Sequence, residues 1–274
     1  VPVSAYAAAP DGATASDALA EEAEPMNNLK PISDLGQIRS LMGSFKGWYH
    51  QIKLAPGIVT PGIHASRQGL ERLDALGLPR DCSKLRVLDI GCRDGFFAFE
   101  MEQRGAEVVG MDYAEPEVTG FSIASRILGS RVTYIVENVY QLAPEKHGLF
   151  DIVLFLGVLY HLRNPLLAFD QVRKVAKPDG LLFVETHVTV HPVLKSLGTP
   201  AWEYYPRDTL GKDETNKWGP NVAGLKAVME EAQFAVLDSA VYGDRCCVKA
   251  RTVTDERKEH FRRLDSSVGL WGRI

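Results

Sequence analysis

From residue 85 to about residue 250, short apolar runs alternate with amphipathic stretches. RVLDI (86–90), EVVGM (107–111), RVTYIV (131–136), FDIVLFL (150–156), LLFVET (181–186), AVLDSAV (235–241) and RCCVKA (245–250) are rich in Val, Ile, Leu and Phe and have the length of buried strands. Between them, 95–104, about 117–128, 165–176 and 221–232 read as helices. Seven strands alternating with helices predict an α/β fold built on a doubly wound, mostly parallel sheet. Only Tyr242-Gly243-Asp244 separates the last two runs. That is too short for a parallel crossover, so the last strand is expected to be the antiparallel arm of a terminal hairpin.

The flanking segments carry other patterns. Residues 26–80 are expected to form an N-terminal cap. A helix is capped at Ser33-Asp34 and runs to Leu41-Met42, an extended stretch WYHQIKLAPGIVTPG (48–62) follows, and a helix near 64–76 is stopped by Gly77 and Pro79. The main domain is expected at 81–250, interrupted by an insertion at 187–220 that carries Trp202, Tyr204, Tyr205 and Trp218 among Pro and Gly. A long loop at the carboxyl end of an α/β sheet is expected to be a binding lid. Residues 1–25 are Ala-rich with few large apolar side chains and are expected to be disordered. Residues 251–274 are expected to be a charged helix, to about 263, and a tail.

Composition narrows the classes. The chain has 274 residues, 45% hydrophobic and 24% charged, ordinary for a globular protein. No apolar run approaches the ~18 residues of a membrane span, and residues 1–25 lack the basic and apolar regions of a signal peptide. Cys82, Cys92, Cys246 and Cys247 form no CxxC pair, so they are expected to be reduced, buried thiols in a cytoplasmic, metal-independent protein. The net charge is −4, yet residues 1–25 hold five acidic residues and no Lys or Arg, so the rest is near neutral. A DNA-binding protein shows a basic excess; this chain does not, and tRNA binding is disfavoured for the same reason.

The sharpest chemical signal is VLDIGCRDGFF (87–97), a strand that ends at Asp89-Ile90, a tight turn flanked by Gly91 and Gly95, and a helix start. Glycines there let the backbone approach a ligand, and the helix N-terminus offers free N–H groups. The run is neither GxGxxG nor a phosphate-binding GxxxxGK[ST] loop, which counts against a nicotinamide-dependent oxidoreductase. Asp112 ends the second strand, where a carboxylate can accept from both ribose hydroxyls. Asn138-Val139 follows the third strand, where an amide beside a backbone N–H can read an adenine edge. The fourth strand ends at Leu156-Gly157, with Tyr160-His161 in the turn beyond.

Together these residues resemble a class I S-adenosylmethionine-dependent methyltransferase, a Rossmann-like transferase, over about 85–250. The resemblance implies that Asp89, Gly91 and Gly95 line the methionine end of the S-adenosyl-L-methionine site, with Cys92 and Arg93 in the same loop. It implies that Asp112 holds the ribose with Tyr113 beside it, that Asn138 and Val139 meet the adenine, and that Leu156 and Gly157 offer backbone to the amino-acid moiety. GVLYHLRNPLLAF, VETHV, WYHQIKLAPGIVTPG and NKWGPN look like the branch of the tRNA wobble-uridine carboxymethyltransferase and its relatives. Members of that branch that modify RNA use carboxy-S-adenosyl-L-methionine, the alternative cofactor.

The function expected is methylation of a small-molecule acceptor, such as a natural-product or sugar hydroxyl. A tRNA-modifying (carboxy)methyltransferase and a non-catalytic cofactor-binding scaffold are the other readings. A hydroxyl acceptor needs a base, and His has a suitable pKa. His161 and His187, with Tyr160, are the catalytic candidates because they follow the fourth and fifth strands. Trp48, His50, Trp202, Tyr205 and Trp218 are the candidate substrate contacts.

Overall fold

The computed structural model describes residues 30–64 and 66–254. Helix α1 (Leu35–Ser44) is capped by Asp34, whose side chain accepts from Gln37 N at 2.6 Å. The extended stretch folds into a small hairpin, β1 (Lys53–Ala55) and β2 (Ile58–Val59), and α2 (Ser66–Ala75) follows.

The α/β body then runs β3 (Arg86–Ile90), α3 (Phe96–Gln103), β4 (Glu107–Asp112), α4 (Pro116–Thr119), α5 (Phe121–Leu128), β5 (Thr133–Val136), α6 (Pro144–His147), β6 (Phe150–Leu156), α7 (Pro165–Val175) and β7 (Ala176–His187). The insertion supplies α8 (Pro192–Ser196) and a hairpin of β8 (Trp202–Tyr204) and β9 (Trp218–Pro220). Helix α9 (Val222–Glu231), β10 (Phe234–Tyr242) and β11 (Arg245–Thr252) complete the described chain.

Seven strands form one sheet in the order β10-β11-β7-β6-β3-β4-β5. The pairs β3/β4, β4/β5, β3/β6 and β6/β7 are parallel, and β11 is antiparallel to both β7 and β10. This is the mostly parallel sheet with a reversed last strand that the pattern predicts. The chain leaves β3 towards β4 and β5, then returns to β6 on the other side of β3. Ligands bind at that switch point, beyond the carboxyl ends of the strands.

Alternate residues of each strand feed two apolar layers. Ile152, Leu154, Phe183 and Cys247 face one layer with Phe99 and Met101 of α3 and Phe121 of α5. Val153, Phe155, Val184 and Val248 face the other with Phe169 of α7 and Met229 of α9. The N-terminal segment shares the first layer, because Ile38, Trp48, Ile52, Leu54, Leu70 and Leu73 are all buried within it.

The structure differs from expectation at several ends. The helix expected at 117–128 is broken at Gly120, whose φ of 89° is left-handed. β7 begins at Ala176 rather than near 181, because Asp179 at φ 57° turns the Lys-Pro-Asp-Gly stretch within a register shift against β6. Arg251 and Thr252 extend β11 rather than starting a helix. They pair with Ala235 and Phe234, and Thr252 Oγ1 donates to Lys177 O at 2.7 Å. The rest of the expected C-terminal helix and tail from 255, and the expected disordered segment 1–25, lie outside the described residues. Among the described residues, no helix is long and apolar enough to cross a membrane.

Candidate active site

The turn after β3 is held by main chain. Gly91 N and Cys92 N both donate to Met111 O of β4, at 2.7 and 3.0 Å. Gly91 has φ 72°, and a Cβ there would lie 2.3 Å from Val158 Cγ2. Only glycine fits that approach. Gly95, at φ 93°, caps α3 without a side chain of its own. Asp89 lies across the turn from the start of α3, and its Oδ2 is buried with no hydrogen-bond partner. Burial, helped by the charge of nearby Asp112 and opposed by the Ala98 N–H of the first helical turn, pushes the Asp89 carboxyl up to about 7. Burial and the surrounding carboxylates raise the Cys92 thiol well above its ordinary value, so it stays protonated.

Asp112 ends β4 with each oxygen already fixed. Oδ2 accepts from Arg93 N at 3.0 Å and Oδ1 from Ala114 N at 3.1 Å. Each oxygen keeps a second lone pair. Tyr113 is exposed at the rim, and Val139 is buried. Asn138 is engaged locally: its side chain accepts from Tyr140 N at 3.1 Å, while its own N–H donates to Gln141 Oε1 at 3.2 Å. Gly157 N donates to Glu185 O at 2.8 Å, and a Cβ on Gly157 would lie 3.9 Å from Arg245 and Glu185 side-chain atoms. Leu156 is partly buried at the end of β6.

Across the cleft the parts are side chains. Arg93, with φ 50° in the position between the glycines, lays its guanidinium over the Tyr49 ring at 4.7 Å. Arg245 makes a bidentate pair with Glu185, at 2.5 and 2.7 Å, and lies 4.6 Å over the Tyr160 ring. Burial opposes charge on Arg245, but the Glu185 pair more than offsets it and raises its pKa. Burial, with Tyr160 nearby, pushes the Tyr49 phenol up to about 12, and burial likewise raises Tyr160.

His161 sits in a 3-10 turn, Leu159–His161, with its ring 4.0 Å from that of Tyr160. Its Nδ1 lies 2.9 Å from Thr215 Oγ1. Burial holds its pKa below the ordinary imidazole value. His187 ends β7 with both ring nitrogens engaged, Nδ1 by Asp244 at 3.3 Å and Nε2 by Tyr205 OH at 3.2 Å. Its pKa is also lowered, chiefly by burial. Tyr205 OH bonds in turn to Glu203 Oε2 at 2.8 Å.

The predicted substrate residues do not all converge. Tyr205 reaches the strand-end cluster through His187. His50 stands next to Tyr49, its Nδ1 against Asp94 Oδ1. Trp48 is buried in the cap, where its indole N–H donates to Met42 O at 3.0 Å. Trp202 and Trp218 meet edge to face within the insertion, 6.2 Å apart, and Trp202 packs on the second apolar layer.

Sequence reasoning missed Asp94, Tyr49, Glu185, Arg245, Asp213 and Thr215. Asp94 is 0% exposed and takes the N–H groups of both Tyr49 and His50 at 2.8 Å. It thereby ties the N-terminal segment to the glycine turn. Its place inside the motif, as a carboxylate between Arg93 and Gly95, was the available signal. Among the described residues, no group of three or more His, Cys, Asp or Glu is placed to hold a metal ion.

The cleft fits S-adenosylmethionine. A cradle at Gly91 that a Cβ would fill, a buried Asp89 oxygen without a partner, and a carboxylate with spare lone pairs at the end of β4 suit its amino-acid and ribose parts. With the sheet order above, they define a class I methyltransferase fold. The chain belongs to the methyltransferase domain family, whose model matches residues 63–239.

Ubiquinone biosynthesis O-methyltransferase of Xanthomonas oryzae pv. oryzae (strain PXO99A) is 33% identical over 137 residues, 50% of this chain and 56% of that protein. The enzyme of the same name from Aliivibrio fischeri (strain MJ11) is 32% identical over 101 residues, 37% of this chain and 43% of that protein. The chain thus spans about half the length of the curated relatives it matches.

Solved structures that share the fold include the following two. The N-terminal domain of EvdMO1, crystallised with SAH and D-fucose, has a TM-score of 0.58 and 19% identity, covering 82% of this chain and 98% of that one. Burkholderia thailandensis 1,6-didemethyltoxoflavin-N1-methyltransferase has a TM-score of 0.53 and 18% identity, covering 82% and 93%.

Proposed function

We propose that the protein transfers a methyl group from S-adenosylmethionine to a hydroxyl of a small molecule, with His161 as the general base. The observation that carries this reading is the placement of His161. It is a half-buried imidazole, its pKa lowered from the ordinary value and so unprotonated at neutral pH, in the turn just beyond the Gly157 strand end that borders the donor site. The 33% identity to an O-methyltransferase over half the chain supports the donor and the acceptor class. Four free, buried cysteines fit a reducing, cytoplasmic setting.

S-adenosylmethionine, when bound, supplies the methyl group on a sulfonium leaving group. The chain does the rest. Asp112 accepts the ribose hydroxyls, the backbone at Gly91 and Gly157 admits the amino-acid end, and Asp89 gives its ammonium a carboxylate partner. Such orientation is worth up to ~7–11 kcal/mol, and a placed base adds ~10²–10⁴-fold. Tyr49, Tyr160 and Tyr205 wall the acceptor side, and His187 anchors Tyr205 there rather than titrating.

The test is calorimetric titration with S-adenosylmethionine, followed by methyl-label transfer to a panel of phenolic and sugar hydroxyls. Binding is expected, with label recovered as a methyl ether. His161→Ala should lower kcat by ~10²–10⁴-fold without changing donor affinity. Absence of donor binding refutes the reading, and an unchanged kcat removes His161 as the base.

A further inference from the structure

We infer that Asp213 and Thr215 of the insertion fix the tautomer of His161, keeping its proton on Nδ1 and leaving the Nε2 lone pair for the acceptor. This rests on the methyl-transfer reading above and adds to it the device that makes the base competent.

The argument is one of proton counting. Thr215 has a single hydroxyl proton. Asp213 Oδ1 lies 2.6 Å from that hydroxyl and also accepts Thr215 N–H at 2.8 Å. Partial burial alone would raise the Asp213 carboxyl. The two Thr215 bonds, with the charges of His161 and Lys217, outweigh this and hold it below its ordinary value. Asp213 is therefore ionised and can only accept. The Thr215 proton goes to Asp213, and Thr215 Oγ1 presents lone pairs to His161 Nδ1 at 2.9 Å. Nδ1 must then carry the proton, and Nε2 is the basic nitrogen.

The other groups around the ring agree with a neutral imidazole. Burial acts most strongly, and Arg245 of β11 and Arg93 of the glycine turn both oppose a second proton, whereas Asp213 and Thr215 favour one. The Tyr160 ring covers a face of the imidazole. When the acceptor reacts, its O–H proton passes to Nε2, its oxygen forms the new O–C bond, and the C–S electron pair leaves with the sulfide. The imidazolium so formed is stabilised by Asp213 through Thr215, then gives its proton to water.

Asp213 and Thr215 lie more than fifty residues from His161 in sequence. They reach it because β9 docks on the same turn: Lys217 N donates to Tyr160 O at 2.8 Å, and Tyr205 N to Lys217 O at 2.8 Å. The base is thus complete only when the insertion is seated.

The deciding measurement is two-bond 15N–1H NMR on the 15N-histidine-labelled full chain, with the His161 signals assigned by their loss in His161→Asn. Wild type is expected to show the Nδ1–H tautomer. Thr215→Val should move the signals towards the Nε2–H form that a free histidine side chain prefers, and Thr215→Ser should restore them. An Nε2–H tautomer in wild type, or no change in Thr215→Val, overturns the inference.

With an acceptor in hand, Thr215→Val should lower kcat about tenfold or more at unchanged donor affinity, with rescue by Thr215→Ser. Asp213→Asn should move the acid limb of the kcat–pH profile to lower pH. If His161→Ala is inactive while Thr215→Val keeps the wild-type rate and pH profile, this inference fails and the methyl-transfer reading stands. If His161→Ala is as active as wild type, the reading of His161 as base has itself failed.

Discussion

The nucleotide half of the cleft is made from main chain, whereas the acceptor half is made from side chains. Around Gly91, Cys92 and Asp112 the contacts are N–H groups donated to Met111 O and to one carboxylate, all within the span 89–114. Around Tyr160 and His161 the contacts are ion pairs, side-chain hydrogen bonds and cation–ring contacts drawn from residues 49, 93, 185, 205, 215 and 245. Backbone geometry tolerates few substitutions, because its demands are on φ and on the absence of a Cβ. Side-chain walls can be rebuilt piece by piece. The difference teaches where constancy and where variation are to be sought in such a fold.

Four tests, made with five substitutions, would break or sharpen this contrast. The largest effect is expected for Asp94→Ala, at the junction of the two halves. It strips a fully buried carboxylate from two backbone N–H groups and from His50. Leaving those buried groups without their shared acceptor costs ~1–3 kcal/mol for each, ~3–5 kcal/mol in all. Urea unfolding should show a loss of that size, and a small loss would mean that the N-terminal segment is not anchored through Asp94.

Next comes Asp112→Ala. Hydrogen bonds to a charged acceptor are each worth ~1.5–3 kcal/mol, so affinity for S-adenosylhomocysteine should fall by ~10²-fold or more in calorimetry. On the acceptor side, Tyr205→Phe should leave that affinity within about twofold, because distant sites act independently.

Third is a pH effect. The Asp89 carboxyl sits near 7 in the folded chain, raised from its ordinary value of 3.8. Between those values the unfolded chain is ionised while the folded one holds the proton. The stability associated with Asp89 therefore falls as pH rises from about 4 to about 7 and is flat above. Without donor, Asp89→Asn should lose less stability than wild type between pH 5 and pH 8, by a margin read from the two pairs of urea midpoints. Parallel curves would show that Asp89 is ionised throughout.

The smallest effect is expected at Arg93→Gly. Relief of a left-handed φ and loss of the stack on Tyr49 oppose each other, so stability should change by less than about 1 kcal/mol. Donor affinity should hold, because Asp112 takes the Arg93 N–H and not its side chain. The acceptor KM should rise, and a collapse of donor affinity instead would place the Arg93 side chain in the nucleotide half.

The same contrast explains what was legible in the sequence. A turn that needs glycine at Gly91 and Gly95, and a carboxylate at the end of the next strand, are local demands that leave a contiguous mark, as in DIGCRDG. The mostly parallel sheet and its reversed last strand followed from run lengths and from one short loop at 242–244, whereas the strand order did not. The acceptor half left no such mark. In the sequence Arg245 reads only as the first residue of a strand, and Tyr49 is overshadowed by the larger Trp48, which packs in the N-terminal segment. Asp94 lay within the motif, but its partners are more than forty residues upstream. The end of β11 was misread because charged residues at helical spacing carry no sign of the Phe234 pairing and Thr252–Lys177 bond that hold the strand there.

The reversed direction of β11 has a consequence of its own. A parallel strand beginning at residue 245 would open at the far end of the sheet and could offer the cleft only its last residues. Running backwards, β11 opens opposite His187, so Arg245 and the turn residue Asp244 arrive at the mouth on the shortest possible lead. The hairpin turn itself is only Gly243-Asp244, since its neighbours Tyr242 and Arg245 already close the ladder. Selection can therefore rewrite this corner of the mouth by altering one turn, while the two apolar layers below keep their composition.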